Sequence, residues 1–179
     1  MERVDHRDVD FYLQQIKTAC AGEPVWEKKE EERRSMYGLT VWIPACFSLA
    51  DQEAAETIFW SEESPEFFFT TQDRKAGITM QTIEEEIRSS EVIKEQLLKM
   101  DSRIVCYDKG ETEGAAKVQW VEYKSFAGDE RVYNVLFFFQ AGDRNILGTF
   151  YCLFEEYDRW KPMVWEMMQS IEESVDERI

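Results

Sequence analysis

From Tyr133 to Ile171 the chain is dominated by two apolar runs, YNVLFFFQ and ILGTFYCLF, separated by the polar AGDRN and followed by EEYDRWKPMVWEMMQSI. In an extended strand Val135, Phe137 and Phe139 share one face and Leu136 and Phe138 the other. In the second run Leu147, Tyr151 and Leu153 oppose Ile146, Phe150 and Cys152. Strands that are apolar at both parities belong in the middle of a sheet covered on both faces. The last segment places Trp160, Met163, Val164, Met167, Met168 and Ile171 at helical spacing, so it predicts a closing helix from about Glu155, kinked at Pro162.

Upstream, the pattern shifts between the two periods. Val9, Leu13, Ile16 and Cys20 recur at helical spacing before Gly22, which predicts a short amphipathic N-terminal helix. The charged stretch EPVWEKKEEERR fits a solvated linker, a frayed strand or an extension of structure. It is taken as the boundary between an N-terminal helix with its connector, residues 1–37, and a main domain, residues 38–179.

Within that domain LTVWIP reads as a strand, and Asp51 to Trp60 as a helix. EFFFTT and GITMQTI form a hairpin around QDRKAG, and Glu84 to Met100 is a helix with Ile93, Leu97 and Met100 as its stripe. Further strands span residues 103–107, 116–126, 131–140 and 146–154, separated by the turn-rich DKGETEG, AGDE and AGDRN. Successive hairpins with helices at intervals predict an α+β fold, an antiparallel β-sheet with helices on both faces in an α/β/α sandwich.

Charge narrows the range of partners. With 37 acidic and 21 basic residues among 179, the formal net charge is −16. Nucleic acid is a poor match for such a surface, because binding it depends on Lys and Arg neutralising phosphates. A basic protein is a better one. No apolar run approaches the roughly 20 residues of a membrane span, and the start MERVDHRDVD has no signal-peptide core, so the expected location is cytoplasmic and no membrane partner is expected. Cys20, Cys46, Cys106 and Cys152 lack metal-site spacing and read as reduced core thiols.

The order of elements is similar to that of the PsbP-like family, whose fold is shared by a photosystem subunit, Ran-binding nucleotide-release factors and bacterial secretion chaperones. The resemblance is strongest to small uncharacterised bacterial members. It rests on Leu147, Gly148, Thr149, Phe150 and Cys152 in the last strand, and on Trp160, Lys161 and Pro162 in the helix after it. It implies a scaffold over residues 38–171 and a tendency toward binding rather than catalysis.

Candidate chemistry is sparse. The only histidine, His6, lies in a charged terminus. HExxH, GxxxxGK, GxGxxG and GxSxG elements are absent, so no catalytic residue, metal ligand or cofactor is assigned. Glu155, Glu156 and Asp158 suit the positive end of the closing helix, and Glu62, Glu63 and Glu66 a solvated turn.

Two tryptophans fit no apolar stripe. Trp165 lies at the edge of the closing helix and Trp60 follows the first domain helix. Both are candidate partner-binding residues. The expected function is a non-enzymatic protein-binding module, an adaptor or chaperone. The alternative is a small-ligand receptor or carboxylate-based enzyme with a pocket between sheet and helix. The N-terminal helix is expected to dock on its own domain or to support a homodimer.

Overall fold

A computed structural model describes residues 9, 11–13, 16–17, 26–50, 65–84, 89–112 and 114–173. Outside them lie the helix expected over residues 51–60, Glu62 and Glu63 of the expected acidic turn, Cys20, and residues 85–88 of the helix predicted from Glu84.

Among the described residues the strands are β1 (Arg33–Met36), β2 (Leu39–Trp42), β3 (Ser48–Leu49), β4 (Phe67–Thr70), β5 (Ala76–Ile83), β6 (Val105–Glu111), β7 (Gln119–Ala127), β8 (Glu130–Ala141), β9 (Arg144–Leu153) and β10 (Glu172–Glu173). The helices are α1 (Ser90–Met100) and α2 (Tyr157–Gln169). Val9, Phe11–Leu13 and Ile16–Lys17 are also helical. The fold is mixed α+β, with antiparallel sheets and few helices.

Seven strands form one sheet in the order β3-β4-β5-β9-β8-β7-β6, and β1-β2-β10 form a small second sheet. Two-residue Gly-Asp turns set the register of its long hairpins. Ala127 pairs with Glu130 around Gly128-Asp129, and Ala141 pairs with Arg144 around Gly142-Asp143. Both glycines have φ near +65°, the left-handed region that a tight hairpin turn uses.

The pleat sorts the apolar residues into two clusters. The larger contains Val135, Phe137, Phe139, Ile146 and Phe150 with Trp160, Met163, Val164, Met167 and Met168 of α2. The smaller contains Leu136, Phe138, Val121 and Tyr123 with Ile93 and Leu97 of α1. Strand β8 is accordingly buried at both parities along its length, as its sequence predicts. Strand β9 is buried at one parity only, because α1 packs on β6 and β7 and leaves Leu147, Thr149 and Tyr151 half-covered.

Two local expectations change. The segment expected to turn after residue 107 continues as strand, with a bulge between Cys106 and Asp108, because Asp108–Glu111 pair with residues 119–122. The closing helix begins as a 3-10 turn over Phe154–Glu156 and continues through Pro162 as α2. Pro162 lies in the second turn, where the missing N–H removes a single helical bond.

The charged stretch is part of the fold. Glu30–Glu32 make a 3-10 turn, and β1 pairs with β2. Trp26 stacks on Trp160 at 5.4 Å. Arg33 donates to Thr40 Oγ1, to the Ser170 carbonyl and to Glu172, the last at 2.6 Å. Glu32 accepts the Trp42 indole N–H at 3.1 Å and the Ala45 amide at 2.7 Å. Burial opposes its charge, but the Ala45 and Trp42 donors prevail and hold the carboxyl below its usual range. No described helix is long and apolar enough to cross a membrane.

Gly148 sits opposite Phe137 in the β8–β9 ladder, and a Cβ there would fall 2.3 Å from the Phe137 ring. The ring is fully buried. We expect Gly148→Ala to cost about 3 kcal/mol in urea unfolding, and Phe137→Leu in the same chain to recover part of it. A second expectation concerns acid. Because the Glu32 carboxyl is lowered in the folded state, its stabilisation is present above the usual carboxylate pKa and is lost as pH falls through the lowered one. Glu32→Gln should therefore flatten the stability–pH curve between about pH 5 and pH 3, measured by urea midpoints.

Candidate functional site

Strand β7 reads QWVEYKSFA, and the pleat turns Trp120, Glu122 and Lys124 toward the layer that contains α2. Glu122 is 1% exposed. A carboxylate so placed needs compensation, and two groups supply it. Tyr133, diagonal to it on β8, donates its hydroxyl to Glu122 Oε2 at 2.5 Å, and Lys161 Nζ of α2 lies 2.9 Å from the same oxygen. Burial, reinforced by the neighbouring Glu122 charge, pushes the Tyr133 hydroxyl well above the usual tyrosine range, so it stays a proton donor.

Rings stack outward from this pair. Tyr133 stacks on Tyr157 at 4.9 Å, Tyr157 on Phe11 at 5.0 Å, and Phe11 on Tyr107 at 4.0 Å. Tyr107 is the bulged residue of β6, and it is buried. Phe11 therefore stacks with two nearly parallel rings, 10° and 14° from its own plane. The Tyr157 hydroxyl donates to the Phe11 main-chain carbonyl at 2.7 Å. Lys161 Nζ lies 5.3 Å from the centroids of both Phe11 and Trp165, so one ammonium sits by a carboxylate and two rings.

This arrangement fixes which way the N-terminal helix faces. At 3.6 residues per turn Val9, Leu13 and Ile16 lie about 160°, 200° and 140° around the axis from Phe11. They point outward, at 68%, 58% and 59% exposure. The expectation that this stripe docks on the chain's own domain is corrected for its described members: Phe11 docks, and Val9, Leu13 and Ile16 face solvent. Phe11 finds ring partners in Tyr107 and Tyr157, whereas Val9, Leu13 and Ile16 are exposed.

Trp165 lies where its helical angle predicts, half-buried at the edge of α2, with its ring against Trp120 at 4.8 Å. Trp60 lies outside the described residues. Glu122, Tyr133 and Lys161 carry the polar centre of the site; none was assigned a site role from sequence, Lys161 being named only with Trp160 and Pro162 for the family resemblance. The available signal was a Glu at the same strand parity as Trp120.

The cysteine expectation divides. Cys152 is buried and Cys106 half-buried, whereas Cys46 is exposed because Phe47 takes the core position after Pro44. Among the described residues no three His, Cys, Asp or Glu side chains converge on a common point. Two open clefts occur elsewhere. One of about 1000 Å³ lies by Lys117, Phe138, Asn145 and Glu173, and one of about 700 Å³ lies by Cys46, Asp73, Arg159 and Trp160. Glu122 lines neither. In the smaller cleft the Asp73 carboxyl is lowered, chiefly by the Lys75 amide, which is opposite to what a general acid needs.

The Glu122–Lys161 pair gives a direct test. Lys161→Met leaves a buried carboxylate with only the tyrosine, and should cost about 3 kcal/mol in chemical denaturation. Adding Glu122→Gln should restore most of the loss, giving a coupling energy well above that of a surface pair.

No family model and no curated protein matches the chain. Among solved structures, it resembles the cyanobacterial PsbP protein of Synechocystis, with a TM-score of 0.59 at 12% identity over 79% of this chain and 91% of that one. A Pseudomonas aeruginosa protein of unknown function, described as a putative regulator, gives 0.47 at 11% identity over 74% of this chain and 99% of that one. With its antiparallel sheet order and closing helix, the chain has a PsbP-like fold.

Proposed function

We propose that this chain is a non-enzymatic protein-binding module, an adaptor or chaperone, and that the outward face of its N-terminal helix is the docking surface. One observation carries this reading. The helix is pinned through Phe11 while Val9, Leu13 and Ile16 stand in solvent on the opposite side. Burying three such side chains against a partner is worth about 1.5–3 kcal/mol each, before the cost of association.

Trp165 offers a second candidate contact, on the side of the helix where Phe11 docks rather than on its outward face. Its ring and that of Phe11 share Lys161, so the edge of α2 lies beside the helix. The net charge of −16 favours a basic partner and opposes pairing with a second copy, which would bring two acidic bodies together. In this reading the module is cytoplasmic, and its sheet lies between helix layers in an α/β/α sandwich. Trp60 remains a candidate contact on the same partner.

The reading predicts a salt-sensitive complex. A basic protein recovered with the wild-type chain at low ionic strength should elute as salt rises, and Leu13→Asp with Ile16→Asp should weaken its capture at least tenfold. Trp165→Ala should weaken it less, with the domain still folded by circular dichroism. If both variants capture the same protein as well as wild type does, the outward face is not the docking surface.

A further inference from the structure

The larger of the two clefts, about 1000 Å³, lies where β10 faces the turn between β8 and β9. Its deep wall is apolar, made by the buried side chains of Leu39, Phe139 and Ile146. The sides are fixed from two directions. Gly114 packs so closely on the Gln169 carbonyl that a Cβ would fall 2.7 Å from it, which holds the loop carrying Ala115 and Ala116 against the end of α2. Opposite, Glu66 accepts the Tyr37 hydroxyl at 2.9 Å and the Thr82 amide at 2.6 Å, tying the β1–β2 turn to the end of β5 beside Ile83. A cleft so framed needs little ordering to receive a ligand.

Three charged residues line it, and two of them are matched. Lys117 lies 3.8 Å from Glu111, and Glu172 lies 2.6 Å from Arg33. Glu173 has no ion-pair partner among the described residues. It pairs with Leu39, so the two side chains share a face and the carboxylate stands at the rim of the apolar wall. The main chain is open there as well. Met36 and Leu39 flank the two-residue turn Tyr37-Gly38 and bond to each other, so Thr40 directs its amide and carbonyl at Glu172, and Glu173 directs its own away from β2 along the free edge.

We infer that this cleft binds a lysine or arginine side chain of a partner polypeptide lying extended along the Glu173 edge. A long alkyl stem covers Leu39, Phe139 and Ile146 while its cationic head reaches Glu173, keeping the charge near water. Gln140 donates its side-chain amide to Asn145 Oδ1 at 3.3 Å, which leaves the Gln140 oxygen and the Asn145 nitrogen for peptide groups at the rim. The outward amide and carbonyl of Glu173 take one residue of an added strand. The net charge of −16 draws the same class of partner. Val9, Leu13 and Ile16 do not line the cleft, so this inference goes beyond the outward-face reading and fails separately from it.

The test titrates the full wild-type chain into a fluorescein-labelled pentapeptide, Thr-Val-Lys-Val-Thr, followed by anisotropy at low salt. Saturable binding is expected, about fivefold tighter than that of the same peptide with norleucine for lysine and at least tenfold tighter than with glutamate. A diaminopropionate peptide, whose ammonium sits on a one-carbon stem, should bind no better than the norleucine one. Glu173→Gln should abolish the preference for lysine without moving the urea midpoint, and Glu173→Lys should reverse it in favour of glutamate. Leu13→Asp with Ile16→Asp should leave the titration unchanged.

No saturation at millimolar protein, or equal affinity for the lysine and norleucine peptides, would overturn the site. A preference for lysine that survives Glu173→Gln would place binding elsewhere on the acidic surface and overturn it equally. Free butylamine that competes as well as the unlabelled peptide would overturn the assignment to a polypeptide.

Discussion

A carboxylate inside a sheet–helix interface is a demand that the rest of the structure must meet. Glu122 is nearly sealed from water between β7 and α2, and without partners its charge would cost several kcal/mol. The Tyr133 hydroxyl and the Lys161 ammonium meet that demand from β8 and α2, so three elements are held in register by one oxygen atom. The lysine is only partly buried, and the Phe11 and Trp165 rings lie beside it. The aromatic stack and the position of the N-terminal helix follow from that centre.

The acidic composition acts on two scales. Locally, individual charges are structural. Arg33 joins β1, β2 and the end of α2, and Glu32 gathers the Trp42 and Ala45 donors. These residues come from a run whose composition alone suggests solvent exposure. Globally, the excess of acids remains on the surface, where it sets the sign of a partner rather than the shape of the fold.

The PsbP-like fold places no chemistry by itself. What distinguishes this chain is how it uses its N-terminal helix. An amphipathic helix ordinarily buries its apolar stripe, but among the described residues Phe11 is buried while Val9, Leu13 and Ile16 are left outside.

Periodicity alone determined the sheet core, because β8 has apolar residues at both parities and α2 has them at helical spacing; neither pattern has another way to escape water. The Gly-Asp hairpin turns were legible for a similar reason, since a tight turn needs a residue tolerant of positive φ. Trp165 was also legible, because its position at the edge of α2 is a matter of angle along one helix. Only the tertiary structure decided that Phe11 is the anchor, that Asp108–Glu111 extend β6, and that Glu122, Tyr133 and Lys161 meet. Each depends on a distant partner: a bulge that turns Tyr107 inward, a neighbouring strand that supplies hydrogen bonds, and an ammonium 39 positions along the chain. Local pattern records which side of an element is apolar, but charge pairing and ring stacking are settled by what lies opposite, and that information is not local.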